Sequence, residues 1–146
     1  MSSDPDLARG DARTLSLASL RIDGQLLERL LRYQRVLADR LTTGWTAATL
    51  AQAQEEALQA AGLQPQAVEP LLAVLRRFAG NRRVAAELRR RAADIVGERA
   101  KDLSQRLAEL DRQLTERDDP ETVRRFLERE VEILQLHART EESFRR

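Results

Sequence analysis

The sequence predicts an all-α protein, on the basis of its composition and of the spacing of its apolar residues. Hydrophobic residues make up 42% of the chain. Most of them are Leu and Ala, which favour helices over strands. They recur every three or four residues, as expected for helices with one buried face. Six Gly and four Pro are too few for the turns of an all-β domain. The length of 146 residues suits a single domain with a modest core.

Composition also limits the function classes. The net charge of +1 gives no global excess of positive charge that would favour nucleic acid or a membrane surface. Lys101 is the only Lys among 25 basic residues. A GC-rich bacterial genome explains this preference for Arg more simply than a functional need for guanidinium groups. The absence of Cys excludes disulfides, thiolate metal ligands and a Cys nucleophile. No apolar run approaches the roughly 20 residues of a membrane span.

The first residues, MSSDPDLARGDAR, are small and polar and show no helical period. We predict a disordered tail over residues 1–13. These residues also lack the apolar centre of a signal peptide, which favours a cytoplasmic protein. An exported protein whose signal has been removed is the alternative.

The first predicted helix carries a wide apolar stripe, typical of a helix with more than one neighbour. One row of this stripe consists of Leu26, Leu30, Tyr33 and Leu37. Asp23 or Thr14 suits its N-cap, and Gly44 suits its end.

The second predicted helix begins at the segment GWTAATL. Thr46 suits its N-cap, and Trp45 and Leu50 have the spacing of a hydrophobic staple. We therefore assign the only Trp to packing at the start of this helix. Gly62 suits its C-terminal stop.

A third helix is predicted from about Pro65 to Ala79. Pro70 does not suit a helix interior, so the helix is expected to be kinked there or to begin there. Gly80-Asn81 is the next predicted break, because Asn81 can cap a following helix.

The remaining residues predict a long C-terminal antiparallel helical hairpin. A fourth helix is expected over 81–117 and a fifth over 120–146. The turn at 118–120 is short, with Asp119 as cap and Pro120 in the first turn. The prediction is thus a five-helix, bundle-like domain, in which a three-helix segment at 14–80 packs with the hairpin at 81–146.

The fourth predicted helix contains a short coiled-coil-like seam. Its apolar residues alternate in steps of four and three, at Val96, Ala100, Leu103, Leu107, Leu110 and Leu114. An earlier row, formed by Val84, Leu88, Ala92 and Ile95, lies on a different side of the helix. We expect the helix to change partners near Gly97: its first part packs on the N-terminal helices, and its second part on helix five or another subunit.

Residues 76–91 are rich in Arg. Seven of them are Arg and only Glu87 is acidic. Most of these arginines fall opposite the row that contains Val84 and Leu88, so a solvated face, partly paired within the fold, is the favoured interpretation. An acidic protein partner is the next interpretation, and phosphate or nucleic acid is possible but not favoured, because aromatic side chains for stacking on bases are nearly absent. The residues that would contact such a partner are Arg76, Arg77, Arg82, Arg83, Arg89 and Arg90.

Three polar residues fall within the apolar arc of the last predicted helix: Glu130, His137 and Glu141. His137 and Glu141 are four residues apart and can touch. We interpret the three as a polar specificity element in a helix seam, with Glu130 met by an Arg. A metal site is the alternative, although His137 is the only His and carboxylates from other helices would be needed.

No motif for catalysis is present: the chain has no phosphate-binding glycine loop, nucleophile elbow or zinc-binding helix motif. The sequence therefore predicts a non-catalytic helical interaction, scaffold or chaperone-like module without a cofactor. It is expected to self-associate through the C-terminal hairpin, most simply as a homodimer. Polyanion binding through residues 76–91 is the first alternative, and a helical metal-binding bundle is the second.

Overall fold

The structure is a computed structural model that describes residues 20–145. The predicted disordered tail, residues 1–13, and the alternative cap Thr14 lie outside the described residues. Within residues 20–145 the chain forms six helices and no strands, and 84% of these residues are helical. The prediction of an all-α protein is therefore confirmed. The helices are α1 (Gly24–Leu41), α2 (Ala47–Ala61), α3 (Pro65–Ala92), α4 (Glu98–Arg117), α5 (Pro120–Glu128) and α6 (Glu130–Arg145).

Four of the helix ends follow the capping residues seen in the sequence. The Asp23 carboxylate accepts a hydrogen bond from the backbone N–H three residues later, at 2.8 Å. Thr46 and Thr49 form a reciprocal capping box at the start of α2. Gly62 ends α2 in the left-handed conformation, with φ of 69°. Asp119 caps α5 through the backbone N–H of residue 122. These helix ends could be predicted because each cap depends on hydrogen bonds between residues that are close in sequence.

The predicted break at Gly80-Asn81 is wrong. Helix α3 begins at Pro65, runs through Pro70 and both of these residues, and ends at Ala92. Asn81 does not cap a helix, because its side-chain Nδ2 donates to the Leu110 carbonyl of α4, at 2.9 Å. The break occurs instead at 93–97, where Gly97 has φ of 85°. A tertiary contact thus replaced the local capping role of Asn81.

The predicted hairpin between 81–117 and 120–146 is also replaced. Helix α4 runs antiparallel to α3, as the pairs Arg77–Asp118 and Arg82–Asp111 show by their opposite order. Helix α4 packs mainly on α3, and Leu114 near its end joins the main core. The last segment, predicted as one helix, is divided at Arg129, whose φ of −117° and ψ of 22° leave the helical conformation.

The hydrophobic core lies between α1, α2, α3, α5 and α6, and Leu114 near the end of α4 joins it. Helix α1 packs on α2 and α6, and α3 packs on α4 and α6. Phe78 and Phe126 meet edge to face in the core, with ring centroids 5.1 Å apart. The core cluster includes no residue between Ala79 and Leu114. Residues 83–110, the distal part of the α3–α4 hairpin, therefore form an arm outside the main core.

Candidate functional site

The Arg-rich stretch is largely paired with acidic residues inside the protein. Arg82 is only 4% exposed. Its Nη1 lies 2.7 Å from Asp111 Oδ1 of α4, and its Nε lies 2.8 Å from Glu130 Oε1 of α6. The Nε–Glu130 contact is an ion pair without the alignment of a hydrogen bond. Arg82 therefore joins three helices and does not contribute to a solvated face.

Four of the other predicted anion-binding arginines also have acidic partners. Arg76 lies 3.7 Å from Glu69, Arg77 2.6 Å from Asp118 and Arg83 3.5 Å from Glu141, and Arg90 pairs with Glu87. Arg89 alone of the six forms no ion pair with the described part of the chain. Of these partners, only Glu69 precedes the Arg-rich stretch in the sequence. The other partners come from α3 itself, from the end of α4 and from α6.

Asp118 is an acid of this region whose pKa is shifted by its surroundings. Burial raises its pKa above the usual range, and the Arg77 guanidinium opposes this effect by its charge and by a hydrogen bond. The net direction is upward because the carboxylate is almost fully removed from water while Arg77 remains partly exposed. The Arg77–Asp118 pair joins α3 to the end of α4 on the side of the hairpin that lies nearest the core.

The three polar residues of the last predicted helix all lie on α6, but they do not form one site. His137 Nε2 lies 3.2 Å from Glu141 Oε1, the contact that their four-residue spacing predicted. Glu130 instead contacts Arg82 at the other end of α6. Among residues 20–145, no three His, Asp or Glu side chains are grouped so that they could hold a metal ion.

Trp45 connects the α1–α2 loop to the C-terminal helix. Its Nε1 donates a hydrogen bond to the Ser143 carbonyl at 3.0 Å, and its ring meets Phe144 edge to face, with centroids 5.7 Å apart. From the sequence, Trp45 was predicted only to pack at the start of α2. No local signal shows that residue 143 lies beside it, because the two are separated by most of the chain.

A cleft of about 540 Å³ opens between α1, α2, α3 and α6. Its apolar wall consists of Leu37, Leu58, Pro65, Val68, Leu72 and Phe144. Its uncharged polar groups include Tyr33, Gln34 and Thr140. Burial, followed by the nearby Glu69 carboxylate, raises the pKa of Tyr33 above its usual value of 10.0, while Arg76 acts in the opposite direction. The phenol therefore stays neutral at neutral pH.

Gln34 is the most unusual residue of the cleft. It is 5% exposed, and its side-chain Oε1 has no hydrogen-bond partner. Buried polar atoms are paired in most proteins, so an unpaired carboxamide oxygen needs a physical explanation. Gln34 was not among the predicted site residues, although a Gln within the apolar stripe of α1 was a detectable signal.

A second depression, of about 620 Å³, follows the arm between α3 and α4. We call it the arm groove. Its floor contains Val84, Leu88 and Leu110, and its rim carries Arg83, Glu87, Arg91, Arg106 and Glu109. Val84, which was predicted to be buried, is 44% exposed here, whereas the neighbouring Ala85 is fully buried. Val96, at the connection between the two helices, is 90% exposed.

The fold and these sites define a helical protein with a lateral cleft and a projecting two-helix arm. None of the helices in residues 20–145 combines the length and the apolar character needed to cross a membrane. Comparisons with protein-family models, with curated proteins and with solved structures find no match for this chain.

Proposed function

We propose that the protein is a non-catalytic interaction module that self-associates through its arm. The observation that carries this proposal is the position of residues 83–110, which extend beyond the core and leave an apolar groove open along one side. Self-association was predicted for the hairpin at 81–146, and the proposal now places it on the α3–α4 hairpin. A scaffold or chaperone-like role would use the same surface.

The arm has little apolar packing of its own. Within it, Ala85, Leu88 and Leu103 are the buried apolar residues. Two helices alone cover only one side of each apolar stripe, whereas four packed helices enclose a central core. Pairing of two arms into a four-helix arrangement would cover the exposed side of Val84 and the rest of the groove floor.

The charges on the rim of the arm groove favour a second copy as the occupant. The rim carries three arginines and two glutamates. A rim of one sign would repel its own copy, whereas a rim of both signs can pair with itself about a two-fold axis. In such a pairing, Arg106 of one copy can face Glu109 of the other.

A matched pair of valine variants tests this proposal in the full chain. Val84→Glu places a carboxylate on the groove floor, while Val131→Glu makes the same change on α6, where Val131 is 69% exposed. Because both valines are solvent-accessible, each variant should fold normally. We expect analytical ultracentrifugation to show a dimer that Val84→Glu weakens about tenfold or more, since a buried unpaired charge costs well over one kcal/mol.

Val131→Glu should leave the dimer unchanged. A wild-type protein that stays monomeric at the highest soluble concentration would contradict the proposal. A dimer disrupted by Val131→Glu and not by Val84→Glu would return the interface to the C-terminal helices.

Polyanion binding through residues 76–91 receives less support. Arg82 is buried, and five of the other six arginines in this stretch already face carboxylates, so few guanidinium groups are free to neutralise phosphates. The metal-binding alternative would need Glu130 and His137 together, yet Glu130 contacts Arg82 and His137 contacts Glu141.

A further inference from the structure

We propose that the cleft between α1, α2, α3 and α6 binds a small neutral molecule with a largely apolar body and one N–H or O–H group that donates to Gln34. This function is separate from self-association, because the cleft and the arm groove share no lining residue.

The size and lining of the cleft suit a small organic ligand. Its volume of about 540 Å³ falls within the range of roughly 300–1,000 Å³ typical of ligand pockets. Such pockets combine apolar walls with a few polar groups that orient the ligand. Here the apolar wall comes from four different helices, so the site exists only in the folded protein.

Gln34 supplies the polar group that selects the ligand. Its Oε1 is buried and unpaired, and this leaves a strong acceptor without a donor in the free protein. The terminal torsion of a Gln side chain rotates broadly, so the carboxamide can turn its oxygen toward the cleft, and its NH2 group then takes the buried position of the oxygen. A ligand N–H or O–H would then satisfy the acceptor, whereas a purely apolar ligand would leave it unpaired.

The charges at the opening of the cleft favour a neutral ligand. Arg76 faces Glu69 at 3.7 Å, and Arg145 faces Glu141 at 3.8 Å. Glu141 also contacts His137 at 3.2 Å. Each carboxylate at the opening is therefore already balanced by a basic group, and inside the cleft the phenol of Tyr33 is neutral.

Two probes of the same shape test the role of the hydrogen bond. Indole carries one N–H donor, and benzothiophene has the same ring size but no donor. The dissociation constants of both would be measured by ¹H–¹⁵N correlation spectra of the full chain. The same titrations would be made with Gln34→Leu and with the control Gln52→Leu, which changes an exposed Gln of α2 outside the cleft lining.

We expect both probes to shift the amides of cleft residues in the wild-type protein. The ratio of the benzothiophene to the indole dissociation constant should fall at least about fivefold in Gln34→Leu, because the acceptor is lost. Gln52→Leu should keep the wild-type ratio. Comparing ratios removes the difference in hydration between the two probes.

The proposal is wrong if neither probe shifts cleft residues, if the shifts map to the arm groove, or if Gln34→Leu keeps the wild-type ratio. Gln34→Met, which is closer in shape, serves as a second variant if Gln34→Leu does not fold. If Gln34 only binds a water molecule and does not contact ligands, the ratio of the two dissociation constants in Gln34→Leu would equal that of the wild type.

Discussion

Arg82 differs from the other arginines of residues 76–91 because it is buried between α4 and α6. Helical spacing placed it on a polar stripe opposite Val84, which is the side expected to face water. The prediction was wrong for this residue because Asp111 and Glu130, its partners, are distant in sequence. The spacing of His137 and Glu141 did predict their contact, because both residues lie on one helix. Single-residue environments were therefore predictable only within one or two helical turns.

The burial of Arg82 leads to a stability prediction. Arg82→Ala removes the cation that balances the partly buried Glu130, and it also removes the packing of the aliphatic stem. We expect it to lower the free energy of unfolding by about 2–3 kcal/mol, somewhat less than for a fully buried ion pair, because Asp111 is mostly exposed. Arg82→Met should cost less, since it keeps the stem.

Urea unfolding of these variants would be compared with that of Arg89→Ala. Arg89 is exposed and unpaired within the described residues, so its loss should change the stability by no more than about 0.5 kcal/mol. Equal effects for Arg82→Ala and Arg89→Ala would mean that the whole Arg stretch is a solvated face.

The ends of the helices show which elements local sequence determines. The caps at Asp23, Thr46 and Asp119 and the stop at Gly62 were predicted correctly, because capping depends on nearby backbone groups. The break at Gly80-Asn81 was predicted wrongly, because a single Gly in a helix costs only about 1 kcal/mol and packing of α3 against α4 and α6 outweighs it. The division at Arg129 had no Gly or Pro signal.

Two glycine substitutions test where the long helix ends. Gly97→Ala forces a side chain onto a residue with φ of 85° and ψ of −144°. This conformation is almost restricted to Gly, so the variant should lose about 1 to 3 kcal/mol of stability. Gly80→Ala adds a methyl group inside a continuous helix, and beyond the adjoining residues and the backbone of that helix it meets no atom within 4 Å. It should gain about 0.5–1 kcal/mol.

Thermal and urea unfolding of both variants would measure these opposite effects. A stabilised Gly97→Ala together with a destabilised Gly80→Ala would support the break predicted from sequence and contradict the continuous α3.

At the scale of the whole molecule, the arrangement of the helices followed from contacts that the sequence pattern left open. The leucine row of α4 was recognised as a seam, but its partner was expected to be helix five or another subunit. Helix α4 instead packs mainly on α3. The cleft was not predicted at all, since its lining comes from four helices. Amphipathic periodicity shows which face of a helix is buried, but it does not show which helix covers that face.

Separation of the arm from the core predicts two levels of local stability. Helix α1 contributes residues to the main core along its whole length, whereas the arm buries only Ala85, Leu88 and Leu103. Backbone amides in residues 83–110 should therefore exchange with solvent deuterium through local opening, well before those of α1, which require global unfolding. Native-state hydrogen exchange measured by mass spectrometry would resolve the two groups.

Self-association adds a concentration dependence to this pattern. If two arms pair, arm amides should become more protected as the protein concentration rises, because binding stabilises the closed arm by mass action. The protection of the α1 amides should not change with concentration. In Val84→Glu, the arm amides should show at every concentration the low protection that the wild-type arm shows in dilute solution. If the exchange rates of the arm amides do not depend on protein concentration, the arms do not pair. If the arm amides exchange as slowly as those of α1 in dilute solution, the arm and the core open as one cooperative unit.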